Sequence, residues 1–223
     1  MQPTLALIHT SPTLAPMFTT LCQAEMPGTA LFHMVDESLI KETIREGHLQ
    51  RRTVRRLLAL VESAELAGAD AVLVTCSSIG PGITLAQQLI DIPVIRVDEA
   101  MAEQAVRLGK RIGVMATLRS TLDPTLALLR QKAAEAGREV NLVPRLCEGA
   151  FEAVLAGDTA THDRILTTAL LQDMQDVDLV VLAQASMARV VEALPPGTLP
   201  MPVLSSPELA VQRAHQALRE RGA

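Results

Sequence analysis

The chain has no tryptophan, no tyrosine and only three phenylalanines in 223 residues. Single-stranded nucleic-acid binding needs aromatic platforms set in a basic groove. A net charge of −5 and a pI of about 5.6 argue against such a groove, so no nucleic-acid partner is expected. Cysteine is also scarce. Cys22, Cys76 and Cys147 stand at unlike spacings, which fits neither a disulfide framework nor a zinc pattern. We therefore expect no metal and a reducing, cytoplasmic setting. Hydrophobic residues make up 48% of the chain. Yet no uninterrupted apolar run reaches the ~18 residues of a membrane span, and no membrane partner is expected. The opening Met-Gln-Pro-Thr-Leu-Ala-Leu-Ile-His lacks the basic region of a signal peptide.

What the sequence does contain is a long internal repeat. Asp70-Ala-Val-Leu-Val-Thr-Cys76-Ser-Ser-Ile79 matches Asp178-Leu-Val-Val-Leu-Ala-Gln184-Ala-Ser-Met187 at an offset of 178 − 70 = 108 residues. Ala6-Leu7-Ile8-His9-Thr10 matches Gly113-Val114-Met115-Ala116-Thr117 at 113 − 6 = 107. The segment from Pro93 to Met101 matches that from Pro202 to Ala210 at 202 − 93 = 109. Three segments in one order at nearly constant spacing indicate a duplicated unit. The period is far longer than the ~20–50 residues of a solenoid. The match breaks at one chemically decisive step, where Cys76 faces Gln184. A thiol can become a base or a nucleophile; a carboxamide cannot.

Apolar runs and turn signals predict strands at 5–9, 29–35, 71–75 and 93–97 in the first half. The second half gives strands at 111–115, 140–143, 179–182 and 203–205, with helices between strands throughout. That alternation implies an α/β fold with mostly parallel sheets covered on both faces. Ligands in such sheets sit at the C-terminal strand edge. The polar residues His9, Thr10, Ser11, Asp36, Glu37, Thr75, Cys76, Ser77, Ser78, Thr117, Ser120, Thr121, Cys147, Glu148, Gln184 and Ser186 all fall there.

With these residues the chain resembles the aspartate/glutamate/hydantoin racemase superfamily over nearly its whole length. Leu182-Ala-Gln184-Ala-Ser-Met187-Ala188 is similar to the segment that carries the family's second cysteine, with Gln184 in its place. Thr75-Cys76-Ser77-Ser78 stands at the first cysteine. The stretch from Ile112 to Thr117 resembles the second-lobe carboxylate-binding loop, and residues 93–99 resemble the segment that crosses between lobes. The resemblance implies two pseudo-symmetric Rossmann/flavodoxin-like lobes with the active site in the inter-lobe cleft. We expect an N-terminal lobe of 1–97 plus 207–223 and a C-terminal lobe of 98–206. It further implies no cofactor, a small carboxylate substrate, and proton transfer at the carbon next to the carboxylate. Relatives within the superfamily also decarboxylate or isomerise with a single cysteine, and a small-acid binding protein that has lost catalysis is the alternative from another class.

Each candidate has a plain alternative. Cys76 precedes a helix start, where backbone amides stabilise a thiolate; otherwise it is a small buried cysteine. Gln184 can donate to an enediolate oxygen, or simply pack. His9 is either a second acid/base or a structural histidine. Thr10, Ser11, Thr117, Thr121, Ser78, Ala185 and Ser186 offer carboxylate donors, or merely cap helices. Asp36 and Glu37 can orient an amine, or serve as a helix cap and a first-turn acid. Cys22, Cys147 and the nine methionines are read as packing. Arg51, Arg52, Arg55 and Arg56 form the solvated face of a helix. An apolar face within residues 57–66 suggests a homodimer or higher homo-oligomer.

Overall fold

The computed structural model describes residues 2–222 and divides into two compact units. The first comprises the chain up to Ala100 together with the segment from Pro207; the second is Met101–Ser206. The first unit runs β1 (Thr4–His9), α1 (Leu14–Glu25), β2 (Ala30–Val35), α2 (Glu37–Glu46), α3 (Arg51–Leu66) and β3 (Ala71–Val74). A 3-10 turn (Ser77–Gly82), α4 (Ile83–Leu89), β4 (Val94–Arg96) and the start of α5 (Glu99–Leu108) follow. The second unit holds β5 (Arg111–Ala116), α6 (Arg119–Glu135), β6 (Asn141–Leu146), α7 (Ala150–Leu155), α8 (Thr159–Asp173) and β7 (Leu179–Leu182). A short 3-10 turn (Ala185–Met187), α9 (Ala188–Glu192) and β8 (Val203–Ser205) complete it, and α10 (Ser206–Gly222) returns to the first unit.

Both sheets are parallel and share one order, β2-β1-β3-β4 and β6-β5-β7-β8. The three matched sequence segments are therefore the first, third and fourth strands of each unit. The acid that opens the third strand has a structural task in both. Asp70 Oδ2 accepts the Thr4 N–H at 2.8 Å, while the Asp70 N–H donates to the Thr4 carbonyl at 2.8 Å. Asp178 Oδ2 accepts the N–H groups of Lys110 and Arg111 at 2.7 and 2.8 Å. Each acid thus pins the start of the central strand pair at the edge opposite the candidate site.

Period-two alternation sorts the first sheet's side chains between two cores. Ala6, Ile8, Val72, Val74 and Val94 pack with Leu39, Leu57, Val61, Ala64 and Ile83 from α2, α3 and α4. Leu5, Leu7, Ala71, Leu73 and Ile95 pack with Phe18 and Cys22 of α1 and with Ala210, Val211 and Ala214 of α10. In the second unit Met115, Val180 and Leu182 meet Leu166 and Leu170 of α8, with Met174, Met187 and Met201 filling the same core. These methionines and Cys22 are packing residues, as their sequence positions suggest.

Three expectations need adjusting. β6 extends to Leu146, beyond the predicted 143, although it contains Pro144. It lies at the sheet edge, where a missing N–H removes no ladder bond. The segment after Cys76 begins as a 3-10 turn rather than entering an α-helix at once. Finally, the apolar face of α3 is not available for a partner. Leu57, Val61 and Ala64 are fully buried within their own unit, and Leu66 at the helix end is the exposed exception. That face gives no argument for an oligomer. Among the described residues no helix is long and apolar enough to cross a membrane.

Candidate active site

In the first unit β3 delivers Thr75 and Cys76 to the C-terminal edge. Cys76 is extended (φ −128°, ψ 113°) and opens directly into the turn Ser77–Gly82. Gly80, Pro81 and Gly82 close that turn. It aims the backbone N–H groups of Ser78 and Ile79 at the Cys76 sulfur, and the Thr10 hydroxyl joins them from the end of β1. Burial pushes the thiol above its ordinary pKa, these three donors oppose the rise, and the nearby Asp98 carboxylate adds to it. Cys76 is the half-buried cysteine of the chain; Cys22 and Cys147 are buried, and burial pushes both up to about 11. Ser77 and Ser78 are buried beside it.

His9 is fully buried and engaged on both ring nitrogens. Its Nδ1 is hydrogen-bonded to Thr75 Oγ1 at 2.8 Å and its Nε2 to His33 Nδ1 at 2.8 Å. His33 Nε2 continues to Thr19 Oγ1 at 3.0 Å. Burial, then the neighbouring His33, lowers the His9 pKa to about 4. In this arrangement His9 braces Thr75, next to Cys76, with no ring nitrogen left for a ligand. Ser11 is partly exposed, with its hydroxyl 2.8 Å from Thr13 Oγ1.

In the second unit β7 brings Gln184 to the matching position. Its Oε1 accepts the Thr117 N–H at 2.6 Å and the Thr117 hydroxyl at 3.0 Å. Thr117 is the repeat partner of Thr10. The two halves thus keep one hydrogen-bonding scheme, with the amide oxygen taking the acceptor place that the sulfur holds in the first. Among the described residues the Gln184 Nε2 group has no hydrogen-bond partner. Thr121 lies buried in the first turn of α6, its N–H donating to the Leu118 carbonyl at 3.1 Å. The buried Ser120 Oγ in the same turn has no partner among the described residues. Ala185 and Ser186 form the short turn after Gln184, where Ser186 is exposed.

Other candidates resolve into structural parts. Asp36 Oδ1 accepts the Ser38 N–H at 3.0 Å and caps α2, while Asp36 Oδ2 accepts from Arg56 at 2.5 Å. Glu37 pairs with Lys41 at 3.2 Å one turn on. Arg52 pairs with Glu42 and Glu46 and Arg56 with Asp36, so the exposed arginine cluster is a solvated helix face that carries ion pairs. Cys147 belongs to the core under β6. Among the described residues no group of three His, Cys, Asp or Glu is placed to hold a metal ion.

Two residues at the thiol edge escaped the sequence reading. Arg96 ends β4 and is buried, and its Nε and Nη2 donate to Asp98 Oδ1 and Oδ2 at 2.6 and 3.0 Å. An arginine two residues before an aspartate is unremarkable in sequence. Only the pairing of Val74 with Arg96 sets the two beside Cys76.

The model of the Asp/Glu/Hydantoin racemase family matches residues 7–214. The chain belongs to this family. Solved structures of racemases show the same fold. A glutamate racemase of Bacillus anthracis superposes with a TM-score of 0.77 at 18% identity, covering 99% of this chain and 83% of that one. A Francisella tularensis glutamate racemase in complex with D-glutamate gives 0.76 at 13% identity, with 99% and 82% covered. The allantoin racemase of Klebsiella pneumoniae gives 0.71 at 17% identity, with 98% and 88% covered. At such identities these likenesses speak to fold. No curated protein matches the chain significantly in sequence. Within the family pattern, the first unit carries Cys76 and the second carries Gln184.

Proposed function

We propose that the chain is an isomerase-type enzyme that moves a proton at the carbon next to a carboxylate of a small acid, with Cys76 as its acid/base. The observation that carries this reading is the setting of the thiol. The Cys76 sulfur, at a strand edge, faces one hydroxyl and two backbone amides, donors that neither Cys22 nor Cys147 has. Family membership supports the reaction class. The thiolate removes the proton, and the electrons move onto the carboxylate as an enediolate. Returning the proton regenerates the thiolate. Gln184 has its oxygen engaged by Thr117, which leaves Nε2–H to donate to the enediolate oxygen. Thr10, Ser11, Thr75, Ser77, Ser78, Thr117, Thr121, Ala185 and Ser186 supply the surrounding donors and backbone. The reading takes Cys76 and Gln184 to serve one substrate, and it asks nothing of a cofactor. A reducing compartment keeps the thiol competent.

Decarboxylation of a malonate-like acid is the second reading. Burial and Asp98 favour the protonated thiol, and Gln184 offers no base. A lone acid that reprotonates an enediolate needs nothing more.

The test is Cys76→Ala and Cys76→Ser, assayed by proton NMR against a panel of 2-substituted acids and malonates in D₂O. Turnover is expected to fall at least ~10³-fold in both variants, since removing a reacting group typically costs this much or more. Turnover within tenfold of the unsubstituted protein would remove Cys76 from the mechanism.

A further inference from the structure

The Arg96–Asp98 pair sits where the turn that serves the thiol needs support. Three features place it there. Val74 pairs with Arg96 across the sheet, so Cys76 and Asp98 each lie two residues beyond a matched pair. The Arg96 guanidinium lies against Gly80. A methyl group at that position would stand 2.5 Å from Arg96 Cζ and 2.7 Å from Nη2, so only glycine leaves the seat open. From the other side, Leu57 of α3 approaches Gly82, where a Cβ would lie 3.1 Å from Leu57 Cδ2. The turn is thus gripped at both of its glycines, and its amides at Ser78 and Ile79 meet the sulfur between them.

The repeat supplies an independent observation. Arg96 aligns with Ser205 and Asp98 with Pro207, so the ion pair is present only in the half that carries a cysteine. Stability alone does not account for it, because apolar residues often replace a buried ion pair without loss. On the reading that Cys76 is the reacting group, we propose that Arg96 and Asp98 are its positioning residues. Arg96 holds the Ser77–Gly82 turn so that its amides reach the sulfur, and Asp98 fixes Arg96 and sets a carboxylate at the thiol edge.

The test reads the thiol itself and needs no substrate. Alkylation of Cys76 by iodoacetamide is followed by peptide mass spectrometry from pH 6.5 to 9.5, with thermal melts to monitor folding. His9 on β1, His33 on β2 and the Asp36–Arg56 pair stand at the same edge and stay unchanged in every variant. Asp98→Asn removes a negative charge beside the sulfur, while the Asn amide oxygen can still accept the Arg96 Nε–H and keep the turn held. Its alkylation rate at pH 7.5 should rise about tenfold, the effect of one pKa unit. Arg96→Met leaves Asp98 charged and releases the turn, so the rate should fall about tenfold. Gly80→Ala displaces the guanidinium and should lower the rate in the same sense. A pair with a merely structural role would move Asp98→Asn and Arg96→Met in one direction. That result, or a profile unaltered by either, overturns the proposal. If Arg96→Met does not fold, opposed shifts in Asp98→Asn and Gly80→Ala support it, and shifts of one sign overturn it. Should Cys76→Ala retain turnover while the opposed alkylation shifts persist, the catalytic reading fails and the positioning of the thiol stands.

Discussion

His9 shows how a residue with catalytic chemistry can be drawn into the scaffold. Thr75 and His33 engage its two nitrogens, and burial followed by the charge of His33 lowers its pKa to about 4. The sign of the consequence follows from linkage. The unfolded chain takes up a proton near pH 6.5 and the folded chain only near 4, so falling pH favours unfolding across that window. Above pH 6.5 both states are neutral there and the effect vanishes. By pH 5 the loss should reach about 2 kcal/mol. His9→Asn should remove that share of the acid limb while His33, also lowered by burial, keeps its own. Urea unfolding at pH 8 and pH 5 checks this. The stability gap between the two proteins should narrow by about 2 kcal/mol at the lower pH. An unchanged gap would mean that His9 carries its proton in the fold.

At the scale of elements, α3 decides where the thiol turn rests. Leu57 is fully buried and abuts Gly82, whereas Leu66, on the same helix, is 82% exposed. Leu57→Ala should cost about 2–4 kcal/mol through lost burial and a residual cavity. Leu66→Ala should stay within ~0.5 kcal/mol. Denaturant midpoints for the two variants test this, and similar losses would mean that α3 packs differently. The same helix marks one limit of sequence reading. Its periodicity announces a buried face but does not say against what, which is why a partner chain looked plausible. β1, β3, β5 and β7 were legible as apolar runs between turn signals, since parallel strands buried on both faces need such runs. β6 outruns the sequence expectation because Pro144 signals a loop except in a strand at a sheet edge. Cys76 and Gln184 stood out because the repeat exposed them. Arg96 and Asp98 did not, because strand register alone brings them to the thiol edge.

At the scale of the whole molecule, the chain is one α/β unit used twice with unequal chemistry. Both units keep the strand order, the acid that pins the first strand, and the threonine that donates to the second residue after the third strand. They differ at Cys76 and Gln184, and in the ion pair beside the thiol. The central claim is that a single thiol, with a carboxamide standing where the repeat would put a second one, moves the proton. The measurement that tests it most directly compares deuterium incorporation with inversion of configuration, in D₂O, on whichever 2-substituted acid the protein turns over. A single base returns deuterium to the face it came from, so incorporation should outrun inversion by at least ~10-fold in the unsubstituted protein. Gln184→Cys restores a second thiol and should bring the two rates together, even as the lost amide donor slows the reaction by ~10²–10³-fold. Inversion as fast as incorporation in the unsubstituted protein, unaltered by Gln184→Cys, would contradict the account.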